Sequence, residues 1–300
     1  MQSLPLAICS INDDESDADS DITRQRILSA KEQLGDKVMI LGHHYQRDSI
    51  IEHADETGDS FLLAKKAADS KAEYIVFCGV HFMAESADIL TSDRQKVVMP
   101  NVRAGCSMAD MADLPDVEAC WNELLNECQL EDPAIRENPD SPAGKGEAYL
   151  VPVTYMNSSA DLKAFVGHHG GVVCTSSNAA GVLEWALERA GENGKVLFFP
   201  DQHLGRNTAL AMGYEEEDIA VWNPMSQPDW NDLNTSTFVL WHGYCSVHQR
   251  FTVEQIDNLR EENPGALVIA HPECEREVVD ASDASGSTEM IRRFVADAPS

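Results

Sequence analysis

VMILGHHY, residues 38–45, is a five-residue apolar run that stops on His43, His44 and Tyr45. An apolar run of that length, bounded by polar groups and set between helical stretches, reads as a buried parallel strand. The pattern recurs five more times. YIVFCGV stops before His81, VPVTY before Met156 and Asn157, VVC before Thr175, Ser176, Ser177 and Asn178, FVLWHGYC before Ser246, Val247 and His248, and LVIA before His271, Pro272, Glu273 and Cys274. Helical spacing fills the intervals, as in DSFLLAKKAADS (59–70) and AAGVLEWALERAG (179–191). Strands alternating with helices predict an α/β fold with parallel sheets and helices on both faces. Ligands of such sheets bind outside the carboxyl ends of the strands, where these polar residues fall. The sequence therefore points to one site assembled from several strand ends.

The 300 residues carry 51 acidic against 22 basic side chains, a formal charge of -29. That balance excludes nucleic acid and anionic membrane as partners. It fits a solvated acidic surface adapted to concentrated salt, a halophile-like trait, since self-repulsion is screened at molar salt, where the Debye length is about 3 Å. The start, MQSLPLAICS, lacks a basic leader and runs into the acidic stretch Asp13 to Asp21, so residues 1–21 are expected to be a disordered acidic tail. No apolar run approaches the ~18 residues of a membrane helix, and a cytoplasmic protein is expected. Eight cysteines without any CxxC pair read as reduced thiols, a subset of them metal ligands drawn singly from distant segments.

Residues 22–35 read as an amphipathic helix ended by Gly35, and three strand–helix–strand units follow. The first domain, 22–147, has strands near Val38 to Leu41, Tyr74 to Gly79 and Val97 to Met99. The second, 148–235, has strands near Tyr149 to Tyr155, Val172 to Cys174 and Val196 to Phe199. The third, 236–300, has strands near Phe238 to Trp241 and Leu267 to Ala270 and lacks a third strand, so it is expected to be truncated. Residues 112–147, rich in Asp, Glu and Pro, read as a surface insertion of the first domain, which makes Cys120 and Cys128 structural thiols.

Cys106 lies in AGCSMAD, a glycine turn expected to open a helix, where the helix N-terminus favours a thiolate. Cys245 follows a strand and is flanked by Gly243, Tyr244 and His248. Either cysteine alone is more often structural; two in one strand-end array favour ligands. Cys78 and Cys174, inside apolar strands, read as core. His43, His44, His81, His248 and His271 all fall at strand ends, with Glu273 and Tyr45 as proton carriers beside them. Ser60, Ser176 and Thr288 fall near expected helix starts, where hydroxyls and N–H groups suit carboxylate or phosphate, or simply cap the helix. Neither a Walker loop nor GxGxxG occurs.

Taken together and in order, GHHYQRDSI, ADETGDSFLLAKKA, VFCGVHFMAESADIL, PNVRAGCSMAD, VTYMNSSADLKA, CTSSNA, FPDQHLGRN, WHGYCSVHQRF, HPECEREV and GSTEMI resemble the quinolinate synthase family of NAD biosynthesis. The resemblance implies three small α/β/α domains related by pseudo-threefold symmetry, with a [4Fe-4S] cluster at their junction. It also implies a transferase that condenses iminoaspartate with dihydroxyacetone phosphate to quinolinate, phosphate and water. An L-aspartate oxidase or dehydrogenase would be the functional partner that supplies iminoaspartate.

By the same resemblance, Cys106 and Cys245 match two cluster cysteines. The third belongs to a segment expected beyond Ser300, with Cys274 the alternative. Tyr45, His248, His271 and Glu273 match catalytic positions, and His43, Ser60, Tyr155, Asn157, Ser176 and Thr288 match substrate-binding ones. Two other readings stay open on the residues alone. One is a mononuclear zinc or iron lyase using His43, His248 and His271; the other is a non-catalytic iron–sulfur sensor.

Overall fold

The computed structural model describes residues 17–139 and 141–298. Most of the acidic tail expected over 1–21 lies outside the described residues, and Asp17 to Asp21 open the first helix, α1 (Asp17–Leu34). Gly35, at φ +52°, takes the left-handed conformation that ends it. The chain divides into two compact units, Met1–Cys106 and Ser107–Ser300.

In the first unit, β1 (Val38–His43), α2 (Asp48–Ile51), β2 (Glu56–Gly58), α3 (Ser60–Asp69), β3 (Tyr74–Cys78), α4 (His81–Leu90) and β4 (Lys96–Val98) follow α1. The strands form a parallel sheet in the order β2-β1-β3-β4. Ile75 and Phe77 of β3 are wholly buried and alternate with half-buried Tyr74, Val76 and Cys78, the period of two that a pleated strand imposes. Leu63, Ala64 and Ala67 on α3, with Phe82, Met83 and Ala87 on α4, bury the matching helical stripes. Asp59 caps α3 by accepting the Leu62 N–H at 2.8 Å, a contribution of about 1 kcal/mol.

The second unit begins with α5 (Leu114–Glu127) and continues through β5 (Leu150–Tyr155), α6 (Ala160–His168), β6 (Val172–Cys174), α7 (Ala179–Ala190) and β7 (Lys195–Phe199). Then come α8 (Gln202–Ala211), β8 (Ile219–Trp222), α9 (Trp230–Thr235) and β9 (Phe238–Trp241). These strands make a parallel sheet in the order β6-β5-β7-β9-β8. Every residue of β5, β7 and β9 is buried, as expected of central strands covered on both faces. The chain continues with α10 (Val253–Glu262), β10 (Ile269–Ala270), α11 (Arg276–Ala281), β11 (Ala284–Ser285) and α12 (Thr288–Asp297). Strands β10 and β11 pair in parallel, above a separate small core of Ile256, Ala270, Cys274 and Val278.

Three expectations change. FVLW, read as the opening strand of a third domain, is β9 and lies between β7 and β8 of the five-stranded sheet. Its four side chains are all buried there, a burial that β10 and β11, two residues each, could not offer. The presumed surface insertion is no insertion of the first unit. Val117, Cys120, Trp121 and Leu124 recur at i, i+3, i+4 and i+7 on α5 and enter the core around Leu150, Leu197 and Trp241. Each such buried side chain contributes roughly 1.5–3 kcal/mol of transfer free energy. Trp121 also meets Phe165 edge-on, with ring centroids 5.5 Å apart. Finally, no α-helix starts at Cys106; the following residues make a turn and a single 3-10 turn over Ala109–Met111, so the helix-terminus argument for its thiolate does not apply.

The strand orders still show an internal likeness. In each larger sheet the second strand of the unit flanks the first on one side and the third flanks it on the other, β2-β1-β3 and β6-β5-β7. The pair β10-β11 repeats the first half of that order.

Candidate active site

In the first unit, β1 delivers His43 to the sheet's carboxyl edge, beside Gly58 of β2. Its Nδ1 accepts the Tyr45 backbone N–H at 3.4 Å, and the two rings lie 4.0 Å apart. Burial, helped by His44, drives the His43 pKa down to about 3, so the ring is neutral with its proton on Nε2. Tyr45 is half exposed and its hydroxyl points to Met83 Sδ at 3.8 Å. Loss of hydration and the nearby Cys106 thiol push its phenol up to about 12. Ser60 is buried at the first position of α3. Because Asp59 does the capping, the Ser60 hydroxyl is not spent on the helix end.

In the second unit the expected residues converge on one carboxylate. Glu273, 4% exposed, accepts the Tyr155 hydroxyl on Oε1 at 2.7 Å. Its Oε2 lies 3.0 Å from His248 Nδ1, off the N–H axis, so that nitrogen is buried without an aligned hydrogen bond. His271 Nδ1 stands 3.7 Å from Oε1 and accepts the Glu273 backbone N–H at 3.3 Å. The His248 and His271 rings stack at 4.9 Å, inclined by 20°. Ser176 hydrogen-bonds the Tyr155 phenol.

Protonation follows from these contacts. Burial opposes charge on Glu273, but His248, His271 and Tyr155 outweigh it and hold the carboxyl below its ordinary range. Burial likewise opposes charge on His248, yet Cys245 and Glu273 lift it to about 10. His271 goes the other way, lowered chiefly by burial. Burial, then Glu273, raises the Tyr155 phenol well above its usual value. At neutral pH the set is a His248 cation, a Glu273 anion, a neutral His271 and a neutral Tyr155.

Cys245 belongs to this cluster. One ligand atom from each of Cys245, His248 and Glu273 lies within 4.8 Å of the others. Cys174 and Cys274 are buried thiols whose pKa values burial raises, the latter to about 11. Cys106 belongs to the first unit, but its neighbour Ser107 hydrogen-bonds Ser246, the neighbour of Cys245, at 3.1 Å. Asn157 is half-buried just past β5, and Thr288 is exposed on the first turn of α12.

A profile of the quinolinate synthetase A protein family matches residues 25–300. A quinolinate synthase of Corynebacterium glutamicum is 55% identical over 286 residues, which span 94% of this chain and 68% of the relative. This chain belongs to the quinolinate synthetase A family. The Streptomyces coelicolor quinolinate synthase is 53% identical over 290 residues, 95% of this chain and 68% of that protein, and the Bacillus subtilis one 47% over 278 residues, 91% and 70%. Among the described residues no helix is long and apolar enough to cross a membrane.

Two residues packed against the Glu273 segment are not singled out from the sequence. Asp201 is fully buried next to the Glu273 cluster, and its Oδ1 caps α8 by accepting the Leu204 N–H at 2.8 Å while Oδ2 has no partner. Burial, then the Glu273 charge, raises its pKa well above the carboxylate range, so it keeps its proton. Asn207 donates at 2.9 Å to both the Pro272 and Cys274 carbonyls and so clamps the Glu273 segment to α8. The signal for Asp201 was present, since VLFFP before Asp201 is a seventh apolar run ending on a polar residue. Gly243 pairs with Asp201, and a Cβ there would lie 2.2 Å from the Pro200 carbonyl oxygen, so only glycine lets the Cys245 loop approach.

Proposed function

We propose that this chain catalyses the quinolinate synthase reaction, condensing iminoaspartate with dihydroxyacetone phosphate to quinolinate, phosphate and water. Family membership supports the reaction class, and the buried Glu273 with its Tyr155, His248 and His271 partners is the observation that carries the mechanism. The enzyme is read as a transferase of the cytoplasm, with iminoaspartate supplied by an L-aspartate oxidase or dehydrogenase.

Glu273 is the proton carrier. It is ionised, shielded from water and poised beside a cation, so it can take a proton from a substrate carbon and return it to the neighbouring one. That exchange interconverts ketose and aldose forms after phosphate leaves. His271 has its proton on Nε2, because Nδ1 accepts the Glu273 backbone N–H, so it donates to a substrate oxygen without competing for the carboxylate. Tyr45 acts as acid and base in carbon–carbon bond formation and dehydration, with neutral His43 stacked beside it. Ser60, Ser176, Asn157 and Thr288 hold phosphate and carboxylates through hydroxyl and amide groups.

A [4Fe-4S] cluster would be held by Cys106 and Cys245. The half-buried Cys245 thiol fits such a role, and the Ser107–Ser246 hydrogen bond ties together the residues that follow the two cysteines. When bound through fewer cysteines than irons, the cluster supplies an open Lewis-acid iron.

The test is an anaerobic assay of quinolinate from the two substrates. Glu273→Gln should abolish turnover while the iron–sulfur absorbance persists; a variant that still turns over refutes the assignment. Absence of acid-labile sulfide in active protein would favour the mononuclear lyase instead.

A further inference from the structure

We propose that Cys245 Sγ, His248 Nδ1 and Glu273 Oε2 form a site for a single divalent cation of the zinc class, distinct from the iron–sulfur cluster and competing with it for Cys245. Thiolate, imidazole and carboxylate are the three ligand types that zinc accepts in tetrahedral sites. Metal–ligand distances of about 2.0–2.3 Å put neighbouring donors about 3.3–3.6 Å apart at a tetrahedral angle. Here the nitrogen and oxygen are already 3.0 Å apart and every pair of donors lies within 4.8 Å, so rotation about side-chain bonds closes the set. His248 Nδ1 is buried beside the carboxylate with no aligned hydrogen bond, so once its proton is lost its lone pair is free to take a cation there.

The surroundings hold the ligands as a metal site requires. Tyr155 donates to Glu273 Oε1 at 2.7 Å and turns Oε2 toward His248. The His271 ring stacks on His248 and fixes its plane. Outer contacts of this kind are typically worth tenfold or more in metal affinity. A cysteine-held [4Fe-4S] cluster by contrast draws on thiolates, so of the three donors only Cys245 is shared with it. The fourth position is left to water. Binding displaces the Cys245 thiol proton and the His248 Nδ1 proton to solvent and leaves a neutral His248 with its proton on Nε2, with no change in oxidation state.

Cobalt(II) titration of the full chain, purified anaerobically before cluster assembly, tests the site. One equivalent should give the visible bands of tetrahedral cobalt and a near-ultraviolet thiolate-to-cobalt transition, and zinc should bleach both. Cys245→Ser should remove the thiolate transition, and His248→Ala and Glu273→Gln should each weaken binding by about tenfold or more. His248→Cys, which keeps a ligand, should restore binding with a stronger thiolate transition and so answers for folding. Zinc-loaded chain should resist cluster assembly until the zinc is chelated. Cys106→Ser should keep the cobalt spectrum while losing the cluster, which separates this site from the cluster reading. The proposal is overturned by an octahedral spectrum without a thiolate transition, by a thiolate transition that depends on Cys106 and not Cys245, or by undiminished binding in both His248→Ala and Glu273→Gln.

Discussion

Replacing Tyr155 by Phe removes one hydroxyl and almost no volume. That hydroxyl donates at 2.7 Å to Glu273 Oε1, inside a site where both residues are buried. A hydrogen bond to a charged acceptor contributes roughly 1.5–3 kcal/mol. If Glu273 must be ionised in the rate-limiting proton transfer, losing that stabilisation lowers kcat by up to roughly tenfold to a hundredfold on the acid limb, where the ionised fraction falls, and by much less at neutral pH. The pH profile gives a second reading. Glu273 is held below its ordinary range, so the stability it contributes is present above the unfolded pKa and lost as pH falls through the folded pKa. Removing a donor raises the folded pKa, so the acid limb of kcat and the onset of acid unfolding both move to higher pH. Steady-state rates across pH on anaerobically reconstituted enzyme, with thermal denaturation of the same samples, measure both effects. A Phe variant with kcat within twofold of the parent and an unmoved acid limb would refute the view that Tyr155 acts through Glu273.

Trp121→Ala tests the placement of α5: a helix that merely decorates the surface would lose little, whereas a core anchor should cost about 3–5 kcal/mol by chemical denaturation. Asp201→Asn should keep the folded stability within about 0.5 kcal/mol, because the buried side chain is already neutral and the amide oxygen still caps α8; Asp201→Ala should lose about 1 kcal/mol. A large loss in the Asn variant would show that Asp201 is charged. With a formal charge of -29, activity and melting temperature should rise together as salt is raised from millimolar to molar, and full stability in dilute buffer would remove the salt-adaptation reading.

Much of the site was legible because buried parallel strands announce themselves as apolar runs and place their last residues at one edge. His43, Tyr155, His271 and Glu273 all follow from that rule. What stayed hidden has physical reasons. Strands β2 and β11, ETG and AS, are too short and too polar to carry a hydrophobic signal; β2 pairs on the free edge of the longer β1, and β11 pairs with β10, which is as short as itself. The assignment of β9 failed because strand order is a non-local property: FVLW reads the same whether it opens a sheet or fills the gap between β7 and β8. The amphipathic piece DVEACWNELLNEC within 112–147 is legible as a helix, but the acidic composition around it concealed where α5 packs, which its four buried apolar residues decide. Asp201 ends an apolar run as the others do, but its closeness to Glu273 is a tertiary property that no spacing along the chain encodes.

One local device recurs in each of the two units and gives histidine a role at these strand ends. In His43-His44-Tyr45 and in His271-Pro272-Glu273, the imidazole Nδ1 accepts the backbone N–H of the residue two positions on. The first residue of each triplet leaves its strand, so that N–H has no ladder partner, and the imidazole satisfies it. The same bond assigns the ring's proton to Nε2 and fixes its plane beside the side chain of the third residue, Tyr45 in one unit and Glu273 in the other. Burial keeps both rings neutral. A hydrogen-bond donor and a proton carrier are therefore delivered together by three consecutive residues at the end of a strand. Asparagine could accept the same N–H through Oδ1, as in an Asx-turn, but its shorter side chain does not carry a donor as far out as the histidine Nε2. Substituting it at 43 or 271 should keep the turn that orients Tyr45 or Glu273 while losing the donor, and alanine at either position should lose both.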